Sequence, residues 1–364
     1  MRIFIPAETD PGETRAAMTP SALAKLVKLG AEAQVESGIG RSIKIADADY
    51  QAAGASIATH REEALRSADA VLRVRKPPAE EIALLKKGCL HISYLDPFKE
   101  TELVRQLAAA GVSAVSMEMI PRSTIAQKMD ALSSQANLAG YAAVTLAASR
   151  LDRIFPMMTT PSGTIPPAKV LIIGVGVAGL QAIATAKRLG AAVEAFDTRP
   201  AVEEQVRSLG AKFVKVDLGE TGQTTQGYAK ELTPEQLARQ REAMAARCAQ
   251  ADVVITTAQV FGKKAPVIVT REMVQRMAPG SLIIDMAVES GGNVECSRLN
   301  EEVDVNGVRV LGPGNLAGRV PRAASEMYAN NLVNFIAHFW DAGQKAFRCD
   351  PQADILRDCL VTSP

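Results

Sequence analysis

A glycine-rich turn gives the clearest chemical signal in the sequence. Lys169–Ile173 is an apolar run rich in β-branched residues, typical of a buried strand, and Gly174, Gly176 and Gly179 follow it at once. A segment with good helix propensity then continues to Arg188. Between a strand and a helix, these glycines permit a tight turn, a close backbone approach to a pyrophosphate and close helix–strand packing. The pattern predicts a dinucleotide site, with the pyrophosphate at the helix N-terminus, where free N–H groups favour an anion.

An aspartate after the next apolar run bears on which dinucleotide binds. Ala192–Phe196 has the composition of a strand, and Asp197 follows it, 23 residues after Gly174. Such a carboxylate accepts hydrogen bonds from the adenosine ribose and repels a 2′-phosphate, which favours NAD over NADP. Arg199 complicates this choice, because a nearby arginine could hold that phosphate. A glycine-rich turn followed by a solvated aspartate is the alternative interpretation.

A polar loop precedes the long apolar segment in the middle of the chain. It contains Arg122, Gln127 and Asp130 within the sequence PRSTIAQKMD. An arginine, an amide and a carboxylate beside a domain junction could position a nicotinamide and its ribose, because clefts between domains are common ligand sites. The spacing alone fits a solvated interdomain loop equally well.

Three further polar segments follow apolar stretches in the second half. Asp285 and Glu289 come after a buried strand and beside glycines, so we expect both to face a ligand crevice, unless Asp285 only caps a turn. Residues 312–321 form a loop that fits contact with a cofactor and also a domain linker. Residues 219–232 are polar and contain Tyr228, as is common in mobile lids and in surface loops without a role.

Strands and helices alternate along the chain, which predicts an α/β fold with mainly parallel sheets. The expected strands are Arg2–Glu8, Ala33–Glu36, Ala68–Val74, Leu90–Leu95, Lys169–Ile173, Ala192–Phe196, Lys212–Val216, Val253–Thr257, Ser281–Met286 and Val308–Leu311. The other expected segments are a helix at Ser21–Leu29, an Ala-rich connecting helix at Ala131–Arg150, an extended lead at Pro156–Pro167 and a returning amphipathic helix at Asn330–Trp340. We therefore expect two Rossmann-like, doubly wound domains joined by long helices around a cleft: residues 1–130 with 320–364, and the nucleotide-binding residues 131–319.

Composition limits the classes of function. The chain has 364 residues, more than a single core of roughly 250–300 residues, and a net charge of +1 argues against a nucleic-acid binder. The five cysteines are scattered, and neither cysteines nor histidines have metal-ligand spacing, which fits a reducing compartment without a disulfide framework or metal site. We expect no signal peptide, and the uncharged run 131–149 fits a buried helix better than a membrane span.

Several of these motifs together resemble the alanine dehydrogenase/transhydrogenase family. They are the opening IPAET with ETRAAMTP, the segment around GVGVAG, and the stretches AFDTRP, GYAKEL and IDMAVESGGN. The resemblance covers nearly the whole chain. Within the family, the chain is most similar to the soluble NAD(H)-binding component of proton-translocating transhydrogenases.

The two branches of the family differ at positions that carry proton chemistry. Alanine dehydrogenases have a catalytic lysine in K-V-K-E-P and a histidine in Y-L-H, where this chain has Arg75 and Asp96. Deamination needs a group that exchanges protons near neutral pH, which arginine cannot do and an ionised aspartate does poorly. Arg15 does match the carboxylate-binding arginine of the dehydrogenases, but that residue alone does not restore the chemistry.

The resemblance implies roles for individual residues. Arg122 would bind the nicotinamide carboxamide, Asp130 and Ser133 the same group or its ribose, Gln127 would reach the second nucleotide, and Tyr228 would close over the site. The implied NAD(H) contacts are Gly174, Val175, Gly176, Val177, Ala178, Gly179, Asp197, Thr198, Arg199, Thr257, Ala258, Glu289, Asn315 and Leu316.

The resemblance also implies an assembly and a reaction. NADH bound here would pass its hydride to NADP⁺ on a partner domain, coupled to proton translocation by a membrane-spanning partner. The chain would be a homodimer, cytoplasmic and peripheral to the inner membrane through its partners. Two alternatives remain open: a free-standing amino-acid dehydrogenase of the same fold, and a non-catalytic NAD(H) sensor. A neighbouring reading frame for membrane-spanning segments, or its absence, would discriminate them.

Overall fold

The chain folds into two compact units. The structure, a computed structural model, describes residues 1–219, 221–222 and 232–363. One unit comprises residues 1–135 and 317–364, and the other comprises residues 136–316. The chain passes between the units at residues 135/136 and 316/317, and the first of these points falls inside the helix Ala131–Arg150.

The first unit is built on a seven-stranded sheet in the order β18-β6-β5-β4-β1-β2-β3. Its strands are β1 (Arg2–Ile5), β2 (Glu32–Glu36), β3 (Ser56–Ala58), β4 (Ala70–Leu72), β5 (Leu90–Ser93), β6 (Ser113–Ser116) and β18 (Leu360–Thr362). Strands β1 to β6 are parallel and β18 is antiparallel to β6. The helices of this unit are α1 (Pro20–Lys28), α2 (Asp47–Ala52), α3 (Arg61–Ser67), α4 (Ala79–Ile82), α5 (Thr101–Ala109), the first turn of α6 (Ala131–Arg150), α11 (Pro321–His338) and α12 (Leu356–Cys359).

The second unit has the same plan, a mainly parallel sheet with one antiparallel strand at an edge. Its seven-stranded sheet has the order β11-β10-β9-β12-β13-β15-β14. The strands are β9 (Lys169–Ile173), β10 (Ala192–Phe196), β11 (Lys212–Phe213), β12 (Val253–Thr256), β13 (Leu282–Asp285), β14 (Glu302–Val305) and β15 (Val308–Leu311). Besides the rest of α6, its helices are α7 (Val177–Arg188), α8 (Glu203–Ser208), α9 (Pro234–Cys248) and α10 (Arg271–Gln275). This unit also contains the small hairpin β7–β8 (Met158–Thr160, Gly163–Ile165), and the first unit contains the small hairpin β16–β17 (Trp340–Asp341, Ala346–Phe347).

The strand orders confirm the predicted fold class. In each sheet the order reverses beside the first strand, between β1 and β4 in one unit and between β9 and β12 in the other. This arrangement is that of doubly wound sheets, which bind ligands outside the carboxyl ends of the strands at the reversal. Strands β4, β5, β12 and β13 are buried along their whole length, as expected for parallel strands covered on both faces.

Some element boundaries differ from the prediction. The run expected at Ala68–Val74 stops at Leu72, because the N–H groups of Val74 and Arg75 donate to the carboxylate of Glu8 at 2.6 and 3.2 Å. The returning helix begins at Pro321 and not at residue 330, since proline is well suited to the first turn of a helix. The segment expected as an extended lead contains the exposed hairpin β7–β8.

A buried histidine in β5 makes the stability of the first unit depend on pH. Burial and the charge of Arg73 lower the pKa of His91 from 6.5 to about 3, and its Nε2 lies 3.0 Å from Ser93 Oγ. The folded protein therefore keeps the ring neutral while the unfolded chain protonates it. The resulting stability is present above pH 6.5 and is lost as the pH falls towards 3.

We expect His91→Gln to flatten this acid destabilisation. The difference in unfolding free energy between pH 6.5 and pH 4.5 should shrink by roughly 2–3 kcal/mol, because one proton contributes about 1.36 kcal/mol per pH unit. Urea unfolding at several pH values measures this difference, and the two curves should run parallel above pH 7. Equal slopes below pH 6 would show that His91 is not the group responsible.

Candidate nucleotide-binding site

Two of the three glycines in the turn after β9 are required by the protein itself. Gly174 has φ +99°, and a Cβ there would lie 2.6 Å from Thr257 Oγ1, which donates a hydrogen bond to Gly174 O at 2.9 Å. A Cβ at Gly179 would lie 2.0 Å from the same carbonyl oxygen. Any larger side chain at either position would push β9, α7 and the loop after β12 apart. Thr257 thus supports the turn by packing and by a hydrogen bond.

The middle glycine is not required by the protein. Gly176 has an ordinary extended conformation with φ −81° and ψ −166°, and a Cβ there would meet no atom of the described residues within 4 Å. Val177 and Ala178 follow it in the first turn of α7, where backbone N–H groups have no intrahelical acceptor. Open space in front of orphan N–H groups and a helix N-terminus is the arrangement that receives a phosphate group.

Asp197, which follows β10, accepts hydrogen bonds from protein groups. Asp197 Oδ2 accepts from Val175 N at 2.7 Å, which ties the carboxylate to the glycine turn. The guanidinium of Arg199 donates Nε to Oδ1 and Nη2 to Oδ2, both at 2.9 Å. The side-chain hydrogen bonding to Asp197 is the largest influence on the pKa of Arg199 and raises it, burial lowers it by less, and the charge of Asp197 raises it further, so the pKa is raised. Thr198 O accepts from Thr221 Oγ1 at 2.6 Å, so the loop after Asp197 is held as well.

The expectation that Asp285 faces a ligand crevice is wrong. Its side chain is fully buried, and its two oxygens accept from Thr256 Oγ1 at 3.1 Å and from the backbone N–H groups of Ala287, Asn293 and Val294 at 3.0 to 3.2 Å. A carboxylate at the end of a buried strand can satisfy N–H groups of the turn that follows, and here it accepts from three of them. Asp285 is therefore a structural residue.

Asn293, to which the sequence pattern assigned no role, holds the neighbouring backbone in place. Asn293 accepts from Ala258 N at 3.0 Å and donates Nδ2 to Ala258 O and Pro266 O, both at 2.8 Å. It therefore holds the backbone of Ala258 on both sides, beside Thr257. Its position after the paired glycines Gly291 and Gly292, with φ +107° and +82°, was the available signal.

Two other loops of the second unit, after β13 and after β15, are joined by hydrogen bonds that include one from Asn315 to Glu289. Glu289 Oε2 accepts from Asn315 N at 3.3 Å, and Asn315 has the left-handed conformation with φ +46°. Leu316 is buried in the core of this unit, so only its backbone is available to a ligand. Tyr228 lies outside the described residues.

The polar loop before α6 is firmly anchored in the first unit. Within the loop, the side chains of Ala126 and Met129 are buried. Lys128 O accepts from Asn331 Nδ2 at 3.0 Å and from Asn334 Nδ2 at 3.1 Å. The two asparagines come from α11, which was predicted from residue 330 onwards. The loop is thus held in place by the first unit, and residues 121–130 are called the platform below.

This platform exposes the side chains that the resemblance singled out. Arg122 and Gln127 are exposed at its surface, and Arg122 Nε lies 3.9 Å from Asp130 Oδ2. Asp130 accepts from Ser133 N at 2.8 Å and from Ser133 Oγ at 2.6 Å. The loop therefore brings Arg122, Asp130 and Ser133 together, with Asp130 also acting as a cap for α6.

Asp130 should contribute to stability through its capping bond. We expect Asp130→Ala to lower the unfolding free energy by about 1 kcal/mol, because the N–H of Ser133 loses its acceptor. Asp130→Asn keeps an acceptor oxygen and should stay within about 0.5 kcal/mol of the parent. Urea unfolding of the two variants measures the difference, and equal losses would exclude the cap.

A second buried cluster surrounds Arg15 in the first unit. Arg15 donates Nε and Nη2 to Glu13 at 2.7 Å each and Nη1 to Gln135 Oε1 at 2.9 Å, while Arg75 Nε donates to Glu13 Oε2 at 2.7 Å. Although burial raises it, the hydrogen bond and charge of Arg15 and the charge of Arg75 lower the pKa of Glu13 to about 2. Both guanidiniums are thus committed to an internal carboxylate. Glu13 was not predicted from the sequence, and its signal was its place two residues before Arg15.

The described residues hold neither a membrane-spanning helix nor a metal cluster. Across residues 1–219, 221–222 and 232–363, no helix is both long and apolar enough to cross a bilayer. In the same part of the chain, no three His, Cys, Asp or Glu side chains come together in a way that could bind a metal ion.

Two doubly wound units, one with a strand–glycine turn–helix site, define a Rossmann-like dinucleotide-binding protein. The family described as alanine dehydrogenase/PNT matches the chain with its N-terminal domain over residues 4–139 and its C-terminal domain over residues 143–364. The chain belongs to this family, which confirms the resemblance drawn from its motifs.

Individual relatives show which branch is nearer. An NAD(P) transhydrogenase alpha-subunit protein of Rhodospirillum rubrum is 47% identical, over 100% of this chain and 96% of the relative. A transhydrogenase crystal structure from Sinorhizobium meliloti has a TM-score of 0.91 and 43% identity, covering 100% and 99% of the two chains. Alanine dehydrogenase of Mycolicibacterium smegmatis is 28% identical, over 95% and 89%. The chain is thus a homologue of transhydrogenase alpha subunits.

Proposed function

We propose that this chain is the NAD(H)-binding component of a proton-translocating NAD(P) transhydrogenase. It passes hydride between NADH and NADP⁺ held on a partner domain, and a membrane-spanning partner couples this transfer to proton movement. The likeness to transhydrogenase alpha subunits over the full chain supports this branch of the family.

The main support for the proposal is the bonding of Arg75 and Asp96. These two residues stand at the positions of the proton-transferring lysine and histidine of the alanine dehydrogenases. Arg75 bonds to Glu13 at 2.7 Å, and Asp96 forms an ion pair with Lys99 at 3.2 Å near the surface. Neither side chain is an imidazole, the group suited to proton exchange near neutral pH. Arg15, the match to the substrate-binding arginine, is likewise bonded to Glu13. A reaction that transfers only hydride needs none of these groups.

The second unit provides the cofactor site in this proposal. The first turn of α7 receives the pyrophosphate, and the loop of Asp197, Thr198 and Arg199 receives the adenosine ribose. The backbone around Thr257, Ala258, Asn315 and Leu316, together with Glu289, binds the remainder of NAD(H). The bound nicotinamide supplies the hydride chemistry, so the protein residues bind, orient and exclude water.

The platform in the first unit provides the positioning groups. We assign Arg122 to the nicotinamide carboxamide, Asp130 and Ser133 to the same group or its ribose, and Gln127 to the second nucleotide. Tyr228 closes over the cofactor. Hydride transfer requires the two reacting carbons to approach within about 3–3.5 Å in alignment, so orientation is the catalytic contribution expected of these side chains.

We propose that the chain works as part of a complex of several subunits. The chain forms a homodimer, binds an NADP(H)-holding domain and is held at the cytoplasmic face of the inner membrane by its membrane-spanning partner. The Rhodospirillum rubrum relative is named as a portion of an alpha subunit, which supports a complex of several subunits. Size-exclusion chromatography with light scattering would test the dimer.

A single preparation of the purified chain distinguishes the three candidate functions. We expect NADH to bind, as measured by its fluorescence, and to remain reduced when pyruvate and ammonium are added. Addition of the NADP⁺-loaded partner components should then oxidise it. Oxidation by pyruvate and ammonium would make the chain an amino-acid dehydrogenase. Tight NADH binding without oxidation under either condition would make it a sensor.

A further inference from the structure

The carboxylate of Asp197 has no unused acceptor position. Its Oδ1 accepts from the backbone N–H and Nε of Arg199, both at 2.9 Å. Its Oδ2 accepts from Val175 N at 2.7 Å and from Arg199 Nη2 at 2.9 Å. A carboxylate offers about four lone-pair sites, and here the protein fills four. Ribose hydroxyls can bond to this group only where the guanidinium gives up its place.

The same guanidinium is fixed against the glycine turn. Arg199 Nη2 also donates to Val175 O at 3.1 Å, so the arginine bridges the end of β10 and the turn that receives the nucleotide. The ion pair is largely buried, with side-chain exposures of 14% for Arg199 and 7% for Asp197. Its charges cancel at the position where a lone aspartate would repel a 2′-phosphate. Asp197 by itself therefore does not explain a preference for NAD(H).

We propose that Arg199 is the specificity-determining residue of this site. Its guanidinium occupies the acceptor positions that the adenosine ribose needs, and Asp197 retains it there. Where Asp197 no longer retains it, the guanidinium binds a 2′-phosphate, so the ion pair sets the choice between NAD(H) and NADP(H). This inference rests on the proposed NAD(H) binding by the second unit.

The 2′-phosphate of NADP(H) and the ribose diol of NAD(H) compete for different members of the ion pair. A guanidinium forms paired hydrogen bonds with phosphate as readily as with carboxylate, so the 2′-phosphate is a direct competitor for the same fork of N–H groups. The ribose diol is neutral and competes only for the carboxylate. NAD(H) thus needs Asp197 and displaces Arg199, whereas NADP(H) needs Arg199 and is opposed by Asp197.

Three variants separate the two side chains: Arg199→Gln, Asp197→Asn and the double variant. Fluorescence titration with NADH and NADPH, and competition with 2′-AMP, measure each affinity. Asp197→Asn should weaken NADH binding and strengthen NADPH binding by about 10-fold each, which is roughly 1.4 kcal/mol, because the charge of the carboxylate is removed from its hydrogen bonds. The gain for NADPH and 2′-AMP should disappear in the double variant. Arg199→Gln should raise the ratio of NADH to NADPH affinity by about 10-fold.

The outcomes also separate this inference from the proposed function. Equal NADPH affinity in Asp197→Asn and the double variant, or an unchanged ratio in Arg199→Gln, would overturn the role of Arg199. If the parent chain did not bind NADH, or if Gly176→Val left its affinity unchanged, the proposed nucleotide site itself would fail. Arg199→Gln retains both backbone donors to Asp197, and its unfolding curve shows whether the fold persists, so the ratio can be read even where Asp197→Asn folds poorly.

Discussion

Gly176→Val should abolish NADH binding while leaving the fold intact. We expect the affinity to fall at least about 100-fold, which is roughly 2.7 kcal/mol, because the branched side chain would fill the space that a pyrophosphate needs at the start of α7. Within the part of the chain that the structure describes, a Cβ at Gly176 meets no atom within 4 Å, and its φ of −81° suits any residue. The unfolding free energy should therefore change by no more than about 1 kcal/mol. Fluorescence titration and urea unfolding measure the two quantities.

Gly179→Ala is the matched control for this variant. Its Cβ would lie 2.0 Å from Gly174 O, so the exchange should destabilise the second unit by roughly 1–3 kcal/mol through overpacking. The two variants thus separate a glycine required by a ligand from a glycine required by the protein. Unimpaired NADH binding in Gly176→Val would remove the start of α7 from the nucleotide site.

Arg122→Ala should reduce hydride transfer far more than it reduces NADH affinity. We expect the transfer rate to the NADP⁺-loaded partner to fall by about 100-fold, because a small misplacement of a reacting group has an effect of that order. The NADH affinity should fall by less than about 10-fold, since pyrophosphate and ribose binding are assigned to the second unit. Stopped-flow transfer and equilibrium titration give the two numbers.

The exposed Arg105, which pairs with Glu102 at 2.8 Å, provides a matched control. Arg105→Ala removes the same charge from the first unit and should change neither number. Arg122→Lys keeps the charge but loses the planar fork, and it should recover only part of the rate. Parallel loss of rate and affinity in Arg122→Ala would show that Arg122 merely anchors the cofactor.

Local patterns were enough to predict the elements that position the nucleotide. Strands β9, β10 and β15 and helix α6 have the predicted bounds, because each is a strongly apolar or Ala-rich run with clear breaks at its ends. The glycine turn was recognisable for the same reason, since its spacing follows from the geometry of a strand entering a helix. The doubly wound order then followed from the alternation of strands and helices.

Contacts between distant residues could not be predicted in this way. The end of β4 depends on Glu8, which is 66 positions away from Val74. Asp285 proved structural because the turn eight residues later folds back onto it, and a carboxylate after a strand has the same appearance whether it faces protein or ligand. Likewise, the pairing of Arg199 with Asp197 is a choice of rotamer that sequence does not specify.

In the proposed reaction, hydride passes directly between two nicotinamides without an organic substrate. The most direct measurement follows deuterium from NADH labelled at both C4 positions, with the chain, its NADP⁺-loaded partner components, pyruvate and ammonium all present. Direct transfer predicts that deuterium is recovered in NADPH and that no labelled alanine forms. Deuterium at Cα of alanine, or NADPH without label, would contradict it.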